Sequence, residues 1–170
     1  MAGAAAGSGF WWAQRLMERL EMLLVFRQMV YHLKTRIRYA NDTLPEALYE
    51  VGKRFEKSPG HMLGETGRFF LDTAKRLEQE QNRKFSEVWK ETLDASPVKK
   101  ILGDIDRRNL EELGEQLGYS DREMQERTML FYLERTDDSI ASLKDQVETK
   151  GRLYRYLGVA AGLFLAVVLI

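Results

Sequence analysis

The apolar C-terminal end is the feature that most limits what this chain can become. Residues 157–170 (LGVAAGLFLAVVLI) carry no charged side chain. An apolar run that follows a basic and aromatic flank is typical of a membrane anchor. The flanking residues just before this run are Lys150, Arg152, Tyr154, Arg155 and Tyr156.

The length of the apolar run leaves two interpretations open. As a helix its fourteen residues cover about 21 Å, which is less than the roughly 30 Å of hydrocarbon in a bilayer and also suits a buried core helix. Counting from Leu153 extends the helix to about 27 Å, because Arg155 can carry its charge to the headgroups. Large apolar side chains favour insertion into the bilayer. We therefore predict an anchor over residues 154–170, with a core-forming helix as the alternative.

The composition excludes several classes of protein. The chain has 170 residues, with 26 basic and 26 acidic side chains and a net charge of zero. A nucleic-acid-binding protein is expected to be basic, so we predict no nucleic-acid partner. The absence of cysteine excludes a disulfide scaffold and thiolate chemistry.

Nothing in the sequence indicates an enzyme. The two histidines are His32 and His61, and neither belongs to the paired Glu-x-x-His motifs of a di-iron bundle. Glu65 stands one helical turn after His61, which we interpret as a solvated pair rather than as metal ligands. No phosphate-binding glycine loop is present. We predict no catalytic residue, no metal and no cofactor.

Apolar residues recur at intervals of three and four along the chain, which predicts helices throughout. Thr43–Glu46 and Ser120–Glu123 match capping boxes, and Pro59 and Pro97 mark helix starts. The fold class is therefore all-α. We expect an antiparallel bundle of about six helices whose long C-terminal helix runs into the anchor. The helices should begin near residues 12, 44, 59, 85, 98 and 121.

Individual core residues follow from the same periodicity. The first helix should bury a stripe from Trp12 to Ile37, and its middle position is either Phe26 or Arg27. Trp89 and the neighbouring pair Phe69 and Phe70 are expected in the core. The expected core residues of the last two helices are Ile101, Ile105, Leu110, Leu113, Leu117, Met124, Phe131, Leu133, Ile140, Leu143 and Val147. The remaining charges are expected on solvated helix faces.

These patterns divide the chain into three predicted regions. Residues 1–12 form a weak N-terminal membrane or interfacial segment, residues 13–153 a helical bundle, and residues 154–170 the transmembrane anchor. The basic residues beside both ends lie on the bundle side, which predicts a cytoplasmic bundle. The predicted interfacial anchors are Trp11, Trp12, Arg152, Tyr154, Arg155 and Tyr156.

Small residues repeat at intervals of four within the apolar run. Gly158, Gly162 and Ala166 would share one helix face, and such a face lets another membrane helix approach closely. The partner helix could belong to the same molecule, to a second copy or to another membrane protein.

Four stretches together resemble the stage III sporulation protein AB family of endospore-forming bacteria. Their order and spacing carry the resemblance, which extends over residues 9–170. The sequence departs from the family pattern only at residues 1–9, where a clear hydrophobic segment is expected. The four stretches are residues 9–16 (GFWWAQRL), 43–48 (TLPEAL), 113–123 (LGEQLGYSDRE) and 151–158 (GRLYRYLG).

The resemblance implies a function that composition cannot give. The family is part of the assembly between mother cell and forespore, and it is similar to a cytoplasmic helical domain of the type II secretion F platform protein. This implies a non-catalytic platform in the cell membrane, with its helical domain in the mother cell cytoplasm. Its partners would be a cytoplasmic secretion-type ATPase and other stage III sporulation membrane proteins. The alternatives are a membrane-anchored helical adaptor unrelated to sporulation and a helical-bundle enzyme.

Overall fold

A computed structural model gives the backbone of residues 3–40, 42–57, 61–80, 82–118 and 121–168. Side chains are described within those ranges from residue 11 to residue 149, except at position 61. The described ranges contain seven α-helices and no strand, so the prediction of an all-α fold is confirmed. The helices are α1 (Gly3–Thr35), α2 (Leu44–Glu56), α3 (His61–Gln79), α4 (Phe85–Ala95), α5 (Val98–Ile101), α6 (Asp104–Leu117) and α7 (Arg122–Val168).

The helix count is one higher than expected, for a local reason. A single helix was expected to follow the start near residue 98, but the chain breaks near Gly103, because Leu102 and Gly103 both adopt extended backbone angles. The break separates the short α5 from α6. A π-helical turn, Arg36–Ala40, also extends α1, and the sequence did not predict it.

The two longest helices, α1 and α7, run antiparallel. Arg27 pairs with Asp137, and Arg38 pairs with Glu126. Arg27 precedes Arg38 in the chain, whereas its partner Asp137 follows Glu126, so the two helices run in opposite directions. The two pairs are eleven residues apart on both sides (27 to 38 and 126 to 137). This pair forms the long axis on which the shorter helices pack.

Helices α2 and α3 form a tightly packed hairpin. A Cβ atom added to Gly52 would lie 2.8 Å from the carbonyl oxygen of Gly67. One added to Gly67 would lie 2.3 Å from the backbone nitrogen of Glu56. No side chain fits at either glycine, so the two backbones touch directly. The predicted capping box precedes this hairpin, where the Thr43 backbone N–H donates to Glu46 Oε2 at 2.9 Å.

An aromatic cluster joins α1, α3 and α4 in the core. Trp89 lies with its ring centroid 4.7 Å from that of Phe69 and 5.7 Å from that of Phe70. Phe26 of α1 contacts both phenylalanines. All four side chains are buried, so the core placement of Trp89, Phe69 and Phe70 is confirmed. Phe26, not Arg27, faces the core, and Arg27 is exposed.

Several predicted core positions are wrong. Ile105, Met124 and Phe131 are 60%, 44% and 44% exposed. Trp12 is also exposed, although the rest of its predicted stripe, from Leu16 to Ile37, is buried. A helix at the outside of a bundle buries only the sector that faces its neighbours, and the periodicity of apolar residues does not fix the edges of that sector.

Candidate functional site

Two exposed tryptophans lie near the start of the described side chains. Trp11 is 59% exposed and Trp12 is 37% exposed. The guanidinium of Arg15 lies 4.5 Å from the ring centroid of Trp11, which is within cation–π distance. Trp11 and Arg15 are separated by one turn of α1, so the helix itself aligns them. Large exposed aromatic rings beside a cation suit a membrane–water interface.

An ion pair with a buried carboxylate joins α1 to α6 just beyond these tryptophans. Arg19 Nε donates to Asp106 Oδ2 at 2.6 Å, and the Asp106 side chain is only 1% exposed. The prediction that the charges of residues 104–108 are all solvated is therefore wrong for Asp106. Tyr132 of α7 is also buried. Burial raises the pKa of Tyr132, and the negative charge of Asp106 raises it further. The Asp106 carboxylate thus joins α6 to α1 through Arg19.

The outer side of α6 and α7 carries exposed apolar groups among charged ones. Phe131 lies against Arg135, whose Cζ is 4.1 Å from the ring centroid. Arg135 Nη1 also donates to Glu112 Oε2 at 2.5 Å. Ile105 and Arg108 line the adjoining part of the same groove. We call this the α6–α7 surface, and it consists of Ile105, Arg108, Glu112, Phe131 and Arg135.

The sequence did not single out the α6–α7 surface. Ile105 and Phe131 occupy positions that suit a core equally well, so the helical pattern assigned them to it. Arg135 and Glu112 are 23 residues apart, and their pairing depends on how α6 and α7 pack. No signal in the sequence alone distinguishes such a surface from a buried face.

The predicted anchor lies outside the residues whose side chains are described. The backbone of α7 continues without a break through the flank and the apolar run to Val168. Within the portion that is described, no helix reaches the length and mean hydropathy needed to cross a bilayer. The anchor over residues 154–170 thus remains a prediction. The same holds for the residues of that region assigned to packing or to the interface, which are Arg152, Tyr154, Arg155, Tyr156, Gly158, Gly162 and Ala166.

The described side chains form no cluster suited to a metal ion. No group of three or more carboxylate or histidine side chains converges within these ranges. His32 lies near the end of α1, with its ring centroid 5.8 Å from that of Phe55 on α2. Burial lowers the pKa of His32, and the charge of Arg54 lowers it further. The side chain of His61 lies outside the described residues.

The fold and these surfaces define a helical bundle built on a long antiparallel helix pair. A sequence model of the stage III sporulation protein AB family matches residues 1–170, so the chain belongs to that family. Membership implies a role in sporulation and decides against an adaptor unrelated to it. The resemblance seen in the sequence is thereby confirmed.

One solved structure supports the fold. It is titled "Stage III sporulation protein AB", and it matches with a TM-score of 0.63 at 20% sequence identity. The match covers 77% of this chain and 97% of that chain. At this identity the likeness concerns the fold alone. No curated protein sequence matches the chain significantly.

Proposed function

We propose that this protein is a non-catalytic platform in the membrane complex between mother cell and forespore. It would couple a cytoplasmic ATPase of the secretion type to the other stage III sporulation membrane proteins. Its helical bundle would lie in the mother cell cytoplasm, held to the membrane by residues 154–170. The observation that carries the proposal is the continuity of α7, a single helix of 47 residues.

The continuity of α7 gives the protein a stiff connection between bundle and apolar run. Its 47 residues span about 70 Å at the helical rise. Ile140 and Leu143 are buried in the core, and the ion pair of Arg27 with Asp137 adds a second link to α1. A force applied to the bundle would therefore move α7 and α1 as one packed unit. A platform needs such a path because it transmits the state of its partner and does no chemistry itself.

The α6–α7 surface is the part of the bundle best suited to receive the ATPase. Its phenylalanine and arginine side chains belong to the types that are enriched in protein interfaces. Phe131 is exposed although it is large and apolar, and Arg135 is held over it. The surface lies on α7 itself, so a partner bound there acts directly on the stiff connection.

Purification of the full-length protein from membranes of sporulating cells tests this proposal. The ATPase should be recovered with the wild-type protein. Phe131→Ala should reduce its recovery at least tenfold, because truncating an interface hot spot costs about 2 kcal/mol or more. Tyr31→Ala, which truncates an exposed aromatic on α1, is the matched control and should leave recovery unchanged. Absence of the ATPase would refute the coupling role, and equal recovery with both variants would refute the α6–α7 surface as its docking site.

A further inference from the structure

An open cleft lies where the start of α1 meets α5 and α7. Its volume is about 420 Å³, within the range of small-molecule sites. Residues from three helices form it, so it is a product of the packed bundle and not of one helix. Its lining includes Trp11, Arg15, Glu18, Arg19, Lys100 and Gln146.

Cations exceed anions in this cleft. Arg19 is committed to Asp106 by the 2.6 Å contact. Glu18 is the carboxylate in the lining, and its Oε1 accepts a hydrogen bond from Gln14 Nε2 at 3.1 Å. Lys100 and Arg15, whose guanidinium lies over the Trp11 ring, remain to pair with an anionic ligand. Both are exposed, and neither forms an ion pair among the residues described.

The position of the cleft indicates where its ligand comes from. Gln146 of α7 lines it, and Tyr154 follows eight residues later, which is about 12 Å along a helix. The predicted anchor begins at that tyrosine. Trp11 also lines the cleft, and tryptophan favours the headgroup level of a bilayer.

We infer that this cleft binds the headgroup of an anionic phospholipid, with the phosphate between Arg15 and Lys100 and the glycerol region against Trp11. The inference rests on the proposed attachment of the bundle to a membrane. Basic side chains at a membrane surface attract anionic lipids. Tryptophan favours the headgroup level, so Trp11 in the lining suits a lipid better than a free anion. The bound lipid would fix the bundle close to the bilayer.

Fluorescence quenching in reconstituted vesicles tests this inference on the full-length protein. The vesicles consist of phosphatidylcholine with a small fraction of phosphatidylglycerol, and either lipid carries brominated chains in turn. Trp11 and Trp12 are exposed and should report nearby bromine, whereas Trp89 is buried and serves as the internal reference. The ratio of the two quenching curves gives the affinity for the anionic lipid relative to the neutral one.

The expected relative affinity favours phosphatidylglycerol by tenfold or more. Arg15→Gln and Lys100→Gln should each lower it about fivefold, the effect of one basic side chain near the surface. Arg127→Gln and Lys90→Gln remove exposed cations of the same types elsewhere and should change nothing. Dissolved inorganic phosphate should not compete.

Three results would overturn the inference and leave the membrane platform in place. The first is equal quenching by both lipids, and the second is an equal effect of cleft and control variants. The third is loss of the preference in dissolved phosphate, which would show a site for free anions. If the protein fails to associate with vesicles of either composition, the proposed membrane platform fails together with the cleft. Association with vesicles without a lipid preference would overturn lipid binding by the cleft and leave the proposed membrane platform in place.

Discussion

The indole ring of Trp89 lies directly on the backbone of Gly114. A Cβ atom added to Gly114 would stand 2.0 Å from Trp89 Cδ1, closer than any real contact. The indole Nε1 donates to the carbonyl oxygen of Leu110 at 2.9 Å, so the ring is held in place by a hydrogen bond as well as by packing. Helices α4 and α6 therefore pack closely, because the large Trp89 side chain of α4 occupies the space that a side chain at position 114 of α6 would need.

This contact predicts that Gly114→Ala destabilises the bundle. Alanine is the better helix former by about 1 kcal/mol, but forcing a methyl group into a filled core costs about 1–3 kcal/mol or more. The matched control is Gly64→Ala on α3, where an added Cβ meets nothing closer than 3.8 Å. Urea unfolding should show a net loss of stability at Gly114 and a neutral or stabilising effect at Gly64. Equal effects at both sites would contradict the packing described.

The pair of Arg19 with the buried Asp106 should contribute far more than exposed pairs. Arg19→Gln leaves a carboxylate in the core without its partner, which costs about 3 kcal/mol or more. Arg27→Gln breaks the pair with Asp137, whose two side chains are about half exposed, and should cost less than about 1 kcal/mol. Denaturant unfolding of both variants measures the difference. Similar losses would mean that Asp106 is hydrated.

Arg76 and Arg83 donate to the Glu91 carboxylate at 2.6 and 2.5 Å, and we call these three residues the Glu91 clamp. The stability that the clamp contributes should depend on pH in the acid range only. Hydrogen bonds from Arg83 and Arg76 lower the pKa of Glu91 to about 2, below its ordinary value of 4.5. A lowered pKa in the folded state means that the ionised pair adds its full stability above about pH 4.5 and loses it as the pH falls toward 2.

The difference in urea midpoint between the wild type and Glu91→Gln should therefore stay constant near neutral pH and shrink below about pH 4.5. The difference should be modest throughout, because Glu91 is exposed to solvent. A difference in urea midpoint that is the same near neutral pH and well below pH 4.5 would show that the clamp is not formed in solution.

Continuity of α7 predicts the effect of a proline in its middle. Ser139→Pro removes a backbone hydrogen bond and should cost about 3 kcal/mol or more. Ser139→Ala is the control and keeps the helix. Hydrogen exchange should then accelerate around Ile140 and Leu143 in the proline variant alone. Protection that survives the proline would contradict a single rigid helix.

Local signals explain why much of the fold was predictable. The Thr43–Glu46 capping box acts within four residues, so its sequence pattern specified the start of α2. The start of α4 at Phe85 also followed from nearby apolar periodicity. Such features depend on neighbours along the chain and are therefore visible in it.

Contacts between distant segments were not predictable. Arg19 and Asp106 are 87 residues apart, and their pairing requires α1 and α6 already in place. Phe131 was assigned to the core because its helical position permits either side, whereas the packing of α7 decides which side is buried. The α6–α7 surface and the cleft beside Trp11 therefore emerged only from the assembled structure.

Alkaline carbonate extraction of membranes tests the central claim, that residues 154–170 attach the bundle to a bilayer. The full-length protein should resist extraction. A chain ending at Tyr156 should be released and keep its helical circular dichroism, because the described core residues all lie between Leu16 and Leu143. Release of the full-length protein into the soluble fraction, or unfolding of the shortened chain, would contradict the claim.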